Sequence, residues 1–443
     1  MDYQKFPNKI AVLGSAGKMG SGITLLTALE VTRIRLTKPQ YSNARLYALD
    51  ISESALQGLK NYILTQVRKR GEKKPELLRS LYQDNSDFSD EQLVKNHFND
   101  VLESIVMVSD ISELKNIELI FEAVNENPEL KAKLINEIKK NSSETLMVFS
   151  NTSSIPIKEI EKSTGLNGRV IGFHFYNPPA VQKLIELIST ESTESAIVEF
   201  AQTFAKNLKK IVVPSNDIPG FIGNGHFMRD MLFGFTLLKE LKESYKFHEA
   251  VYAVNYITQN LLVRPMGIFQ LVDYVGLDVC KNILNVMNSR INEEDLQSNI
   301  LDGLFEQGIN GGQNSDGSQK QGIFQYEKGK IKNVYNMDDR KYYPAEDMDN
   351  VISELLPGLD EQSIPLWKEL VSDDNKDEKL KDYFKHLFDR NTKGAKLAFR
   401  YLCNSKKIGE SLVQTGVTDS EENVNKVLLL GFYHAYGPIN NYC

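Results

Sequence analysis

A chain of 443 residues is too long for one ordinary core, so two or three domains are expected. Its 41% hydrophobic and 25% charged residues are those of an ordinary folded protein, which excludes long-range disorder. A net charge of −7 lends no support to a nucleic-acid surface, and no stretch approaches the ~20 apolar residues of a membrane span.

The opening MDYQKFPNKIAVLGS enters a strand pattern almost at once and leaves no room for a signal or transit peptide, which makes the cytoplasm the expected location. Cys280, Cys403 and Cys443 are widely spaced and lack C-x-x-C pairing. They argue for a reducing compartment and against a disulfide framework or a zinc site, so no metal is expected. Residues 9–13 form a short apolar run stopped by glycines, and residues 19–29 then read as a helix. Apolar runs recur at 45–49, 105–108, 117–124 and 145–149 with helical patterns between several of them, the alternation of a parallel sheet covered by helices. After about residue 215 long amphipathic patterns at 227–242 and 248–262 take over, and PSNDIPGFIGN (214–224) suits the junction. Residues 308–330 read as a polar, glycine-rich loop, and a further helical region follows. The expected division is a nucleotide-binding domain over 1–215, a helical domain over 216–335 and a second helical domain over 336–443. A weak repeat supports the last: Glu249, Val251, Val254 and Pro265 recur at a constant offset as Glu422, Val424, Val427 and Pro438.

GSAGKMGSG (14–22) follows the first strand and opens the first helix. A dinucleotide site needs glycine where the chain bends sharply, where backbone approaches the pyrophosphate and where helix packs on strand, with the helix N-terminus facing the negative charge. Gly17 and Gly20 suit the second and third roles. Ser15 stands where the first glycine is usual, Gly14 lies one residue earlier, and Lys18 and Met19 complete the loop. Asp50 ends the next strand, where a carboxylate accepts hydrogen bonds from the ribose of NAD and repels a 2′-phosphate. It lies thirty residues beyond Gly20 rather than the usual ~20, an excess attributed to an insertion around residues 33–43. Its alternative role is a helix N-cap.

IGFHFYNPPAVQKLIEL (171–187) places one histidine in an apolar strand. His174 and Glu186 are each six residues from Ala180, so a hairpin lets them face one another. A carboxylate against an imidazole fixes the ring and leaves its other nitrogen to take a proton, as oxidation of a carbinol requires. The alternative is a satisfied histidine and an exposed glutamate on an edge strand.

These segments, with FEAVNENPELK (121–131), SNTSS (150–154), DIPGFIGN (217–224) and RPMGIFQLVDYVGLD (264–278), stand in the order of the 3-hydroxyacyl-CoA dehydrogenase family, which the chain resembles over about residues 8–330. The resemblance implies an α/β N-terminal Rossmann-like domain with a mostly parallel sheet, followed by an all-α C-terminal domain or domains. It implies NAD-dependent oxidation of L-3-hydroxyacyl-CoA to 3-ketoacyl-CoA in fatty-acid metabolism, with His174 as base and Glu186 as its partner. It further implies that Ser153 and Asn224 hydrogen-bond near the reacting oxygen or thioester. Glu126 and Lys131 would line the cofactor and substrate cleft, with Asn177 beside the catalytic strand. Lys69, in the basic run Val67-Arg68-Lys69-Arg70, would contact the CoA tail, with Tyr62 where a serine is common. Read physically, Ser153 also suits a helix N-cap, Asn224 a turn, and Lys131 and the basic run solvated helix faces. The chain departs from the family in the displaced first glycine, in Gly225-His226 where arginine is usual, and in running past residue 330. Because the family's helical domain mediates dimerisation, the extension implies either a homodimer or an internal pseudo-dimer. Other readings are a dehydrogenase of free hydroxy or sugar acids and a non-catalytic dinucleotide-binding protein.

Overall fold

Short runs that are apolar on both sides cannot leave either face of a sheet in water. In the computed structural model, which describes residues 3, 5–82, 87–314 and 318–443, they form one sheet of eight strands. The chain divides into two compact units, residues 1–217 and 218–443.

In the first unit the strands are β1 (Lys9–Leu13), β2 (Arg45–Leu49), β3 (Ile105–Val108), β4 (Leu119–Glu122), β5 (Met147–Ser150), β6 (Val170–Phe175), β7 (Leu184–Ser189) and β8 (Ile211–Asn216). Their spatial order is β3-β2-β1-β4-β5-β6-β7-β8. The first six are parallel; β7 turns back antiparallel to β6, and β8 runs parallel to β7. Pro214 is tolerated in β8 because that strand lies at the edge, where one row of N–H groups has no partner strand. Strand order reverses between β1 and β4, and crevices at the carboxyl ends of strands beside such a switch are where doubly wound sheets bind ligands.

The helices of this unit are α1 (Lys18–Thr37), α2 (Glu53–Lys73), α3 (Pro75–Leu81), α4 (Asp90–Ser104), α5 (Pro128–Lys139), α6 (Ile157–Thr164) and α7 (Ser195–Asn207). Helix α1 continues two turns beyond the expected stretch, so part of the insertion that delays Asp50 is helix. Asp217 ends the unit by accepting the backbone N–H groups of Ile157 and Lys158 at 2.6 and 2.8 Å, the first turn of α6.

The second unit opens with α8 (Gly223–Leu241) and α9 (Phe247–Tyr256), the latter running into a π-helical turn over Ile257–Leu261. It is mainly helical, as expected, but not all-α. Strands β9 (Phe324–Glu327), β10 (Lys330–Asn336) and β11 (Lys341–Pro344) form an antiparallel sheet. Their signal was present in the alternation of FQYE and KIKNVYN about a Lys328-Gly329 turn, where both residues have positive φ. The end of the expected 308–330 loop is therefore strand, and residues 315–317 of it lie outside the described residues. Nor does the structure separate a third domain at 335/336, because side chains on both sides of that point fill one apolar core. The helix Lys393–Gln414 packs on α8. The Tyr401 hydroxyl donates to the carbonyl of Asp230 at 2.8 Å, and that of Tyr436 to the carbonyl of Leu262 at 2.8 Å. Arg264 pairs with Asp230 at 2.7 Å, both side chains buried, and also donates to the Ser405 hydroxyl at 3.1 Å.

Candidate active site

The glycine loop joins β1 to α1. Gly14 has φ +70°, and a Cβ there would stand 2.8 Å from the carbonyl oxygen of Ala123. The sharp bend thus falls on Gly14 rather than on the buried Ser15, so the extra residue shifts the first glycine without removing it. A Cβ on Gly20 would lie 1.9 Å from the Gly14 oxygen, which makes Gly20 the close-packing position. Gly17 is the N-cap of α1 with no side-chain cap, and a Cβ there would meet only the Gly14 oxygen, at 3.2 Å. Its outer side is open, with Lys18 and Met19 forming the first turn. Asp50 accepts the Ala16 N–H at 3.1 Å and the Ser52 N–H at 3.3 Å. Ser52, not Asp50, caps α2, so the N-cap alternative for Asp50 is excluded. Ile51, Ser52 and Glu53 follow it, and none offers a cation to a 2′-phosphate. An open glycine cradle, a helix N-terminus and a partly exposed carboxylate fit NAD. Substituting Gly20→Ala is expected to abolish NAD binding, measured by titration calorimetry, because the methyl group collides with backbone that cannot yield.

The hairpin forms as its spacing implies. His174 pairs with Glu186 across β6 and β7, and His174 Nδ1 lies 3.0 Å from Glu186 Oε2. Both are buried, Glu186 completely. The Tyr176 hydroxyl donates to the same oxygen at 2.8 Å and its ring centroid is 4.9 Å from that of His174. Burial and the Glu186 charge push the Tyr176 hydroxyl far above the ordinary phenol range, so it remains a donor. Sequence reasoning missed Tyr176, although a polar-tipped residue two positions after His174 in a strand shares its face. Tyr176→Phe is expected to lower kcat about tenfold without unfolding the protein, one lost hydrogen bond to a charged group being ~1.5–3 kcal/mol. Steady-state rates beside a circular dichroism melt would check it.

Beneath the loops lies a buried ion cluster. Lys131, 1% exposed, donates to both oxygens of Glu122 at 2.8 and 2.9 Å and stands 3.2 Å from Glu126. Burial alone would push the Lys131 ammonium down, but the Glu122 and Glu126 charges outweigh it and hold it above its ordinary value. Burial likewise pushes the Glu126 carboxyl up, and Lys131 with hydrogen bonds from Thr152 and Ser153 reverses this and holds it low. Glu126 Oε1 accepts the Thr152 hydroxyl at 2.6 Å and the N–H groups of Ser153 and Ser154 at 2.9 and 3.1 Å. Lys131 is therefore neither a solvated helix charge nor an open cleft wall: two carboxylates enclose it. Ser153 does not cap α6, whose N-cap is Pro156; it is held by Glu126 just after β5. That turn adjoins β6, the strand of His174, since Asn151 Oδ1 accepts the Phe175 N–H at 2.8 Å. Asn177 begins the turn after β6, before a cis peptide bond to Pro178.

The family model described as 3-hydroxyacyl-CoA dehydrogenase, NAD binding domain, matches residues 9–218, and that described as 3-hydroxyacyl-CoA dehydrogenase, C-terminal domain, matches residues 237–321. The chain is 28% identical over 319 residues to a probable 3-hydroxyacyl-CoA dehydrogenase of Caenorhabditis elegans, covering 71% of this chain and 92% of that protein. It is 31% identical over 281 residues to the mitochondrial hydroxyacyl-coenzyme A dehydrogenase of Rattus norvegicus, covering 62% of this chain and 78% of that one. The chain belongs to the 3-hydroxyacyl-CoA dehydrogenase family. A solved 3-hydroxybutyryl-CoA dehydrogenase from Escherichia coli K12 has the same fold over nearly the full length, with a TM-score of 0.62, 19% identity, and coverage of 98% of this chain and 91% of that one.

Of the remaining positions that this dehydrogenase was expected to use, Asn224 lies in the second unit as the second residue of α8. His226, where the family usually has arginine, is buried and sits 3.0 Å from the carbonyl of Ser405 through Nε2. Lys69 is exposed on α2, and Tyr62 is half-buried against the core of the first unit. No helix of the described residues is long and apolar enough to cross a membrane.

Proposed function

We infer that His174, held by Glu186, is the base with which this NAD-dependent 3-hydroxyacyl-CoA dehydrogenase removes the hydroxyl proton of its substrate. The observation that carries the reading is the 3.0 Å contact between His174 Nδ1 and a fully buried carboxylate. With Nδ1 engaged, the proton arrives at Nε2, and the imidazolium that results lies against the Glu186 charge. Tyr176 holds that carboxylate from the other side, so the ring keeps one orientation through the transfer. Bound along the glycine loop, NAD supplies the hydride acceptor.

Ser153, Asn177 and Asn224 are assigned to the substrate oxygens, where donors stabilise charge as it develops. Glu126 and Lys131 are assigned to the support of Ser153 rather than to contact with NAD. The substrate is the L-3-hydroxyacyl-CoA and the compartment the reducing cytoplasm, a reading supported by the free thiols of Cys280, Cys403 and Cys443. Between a homodimer and an internal pseudo-dimer, the core shared across residue 335 favours the latter; a sedimentation mass of two chains would overturn it.

The direct test mixes the protein with NAD and L-3-hydroxyacyl-CoA esters of increasing length and follows reduced nicotinamide. Turnover is expected, with the length series assigning the acyl preference. No turnover at any length, with NAD bound, would instead favour free hydroxy acids. In the same assay Asp50→Ala is expected to narrow the preference for NAD over NADP, because the carboxylate that repels a 2′-phosphate is gone.

A further inference from the structure

The three cysteines have unequal surroundings. Cys280 is fully buried in the core of the second unit, where burial pushes its thiol up and keeps it protonated. Cys403, on the helix Lys393–Gln414, and Cys443, beyond the helix Glu421–Gly431, are only half-buried and stand forty residues apart in the sequence. The fold brings these two together, the Cys403 thiol lying within hydrogen-bonding reach of the Cys443 thiol.

Contacts on either side of the sulfurs hold the approach. Lys406, three residues after Cys403 and so on the same helix face, donates to the Cys443 carbonyl at 3.4 Å. The Tyr442 ring packs on Phe384 and Tyr436, with centroids 5.1 and 5.6 Å away, and its N–H donates to Asn440 Oδ1 at 3.0 Å. Tyr442 and Cys443 both rest against the apolar core. Cys443 itself lies outside helix and strand, so its side chain can turn without breaking a backbone ladder. A thiol pair of this kind could serve a metal or an oxidant. Among the described residues no group of three or more His, Cys, Asp and Glu side chains could hold a metal ion, which leaves the oxidant. Burial, and after it the Cys443 thiol, push the Cys403 thiol up to about 12 against the Lys407 and Lys406 charges, so Cys403 keeps its proton and Cys443 is the sulfur that attacks.

We propose that Cys403 and Cys443 are a redox modification site, joined by a reversible disulfide when the protein meets a peroxide. The Cys443 thiolate attacks one peroxide oxygen and the O–O bond breaks, leaving a sulfenic acid on Cys443 and, with the thiol proton, one water. The Cys403 sulfur then attacks the Cys443 sulfur. The S–S bond forms as the S–O bond breaks, and the hydroxyl leaves with the Cys403 proton as a second water. The two sulfurs together give up two electrons, which the peroxide takes, and a dithiol reductant returns them by exchange. In a reducing compartment the resting form is the dithiol and the disulfide is transient, as for redox-sensing pairs. The bond fastens the segment after the helix Glu421–Gly431 to the helix whose Tyr401 and Ser405 cover Asp230 and Arg264. Oxidation therefore clamps the side of the helical unit that closes over its buried ion pair.

The test treats the full chain, reduced beforehand, with hydrogen peroxide and digests it with trypsin without reductant. Cleavage after Arg400, Lys406 and Lys426 isolates the two thiols on peptides 401–406 and 427–443. Mass spectrometry should find these joined and lighter than their sum by two hydrogen atoms, with dithiothreitol restoring both. Cys280 should remain a thiol, titratable only after unfolding. Cys403→Ser and Cys443→Ser, each a change at a half-buried position, should each abolish the joined peptides. Peroxide should raise the Tm of the parent by about 5–10 °C, the scale for closing a loop of this length in a unit of this size, and that of Cys443→Ser not at all, which separates the bond from oxidation elsewhere. Absence of the joined peptides, a disulfide between two chains in their place, or a Cys443 that stops at the sulfinic acid overturns the site. A joined pair with no rise in Tm overturns the clamp. Neither measurement needs turnover, so an inactive protein would defeat the dehydrogenase reading and leave this test intact.

Discussion

Replacing His174 with glutamine is expected to lower kcat by about 10²–10⁴-fold, the range that a positioned general base supplies. Glutamine approximates the ring's reach and can still meet Glu186 Oε2, so the hairpin should survive, but its amide cannot accept the carbinol proton. NAD affinity should stay within twofold of the parent's, since the glycine loop and Asp50 belong to other strand ends. Single-turnover rates beside NAD titrations would separate the two effects. A kcat within tenfold of the parent's would sink the assignment of His174 as base, whatever became of KM.

Lys131→Met should cost about 3–5 kcal/mol of stability, the range for removing one partner of a buried ion pair. Methionine preserves much of the volume, so the loss is electrostatic. Glu122, fully buried, would keep only the Ser150 hydroxyl and the Val124 N–H at 2.6 and 2.8 Å. The pH dependence has a definite sign: Glu126 is held below its ordinary value, so its contribution is full at neutral pH. It is lost as acid carries the pH down through the folded-state value, and the variant should respond less to that acid than the parent. Urea unfolding at pH 7 and at pH 4 measures both. A change under 1 kcal/mol would mean that the cluster is not the support it is argued to be.

The hairpin was legible in the sequence because it depends on a count of residues: a period of two and a turn centre fix which side chains face each other. The glycine loop was legible except for its first position, which no spacing rule places when a residue is added; the positive φ of Gly14 does. Lys131 was expected to line the cofactor and substrate cleft, or else to be a solvated helix charge, and its burial was not legible because its two carboxylate partners come from the end of β4 and the turn beyond it. The strands β9 to β11 escaped because polar residues on their exposed face outweighed the buried alternation. The boundary expected at 335/336 rested on a weak repeat of four positions, and such a repeat says nothing of whether the helices that carry it keep a core of their own; residues 218–443 form one compact unit.

The shared core of residues 218–443 also bears on how the chain emerges from the ribosome. Asp230 and Arg264 are made long before Tyr401, Ser405 and Tyr436, which close over them. At roughly 5–20 residues per second, the nascent first half of this unit waits about 10–30 seconds with apolar surface and an unsealed ion pair in water. The Rossmann unit, complete by residue 217, can fold during that interval, whereas the helical unit is expected to fold only after its last helix has cleared the exit tunnel.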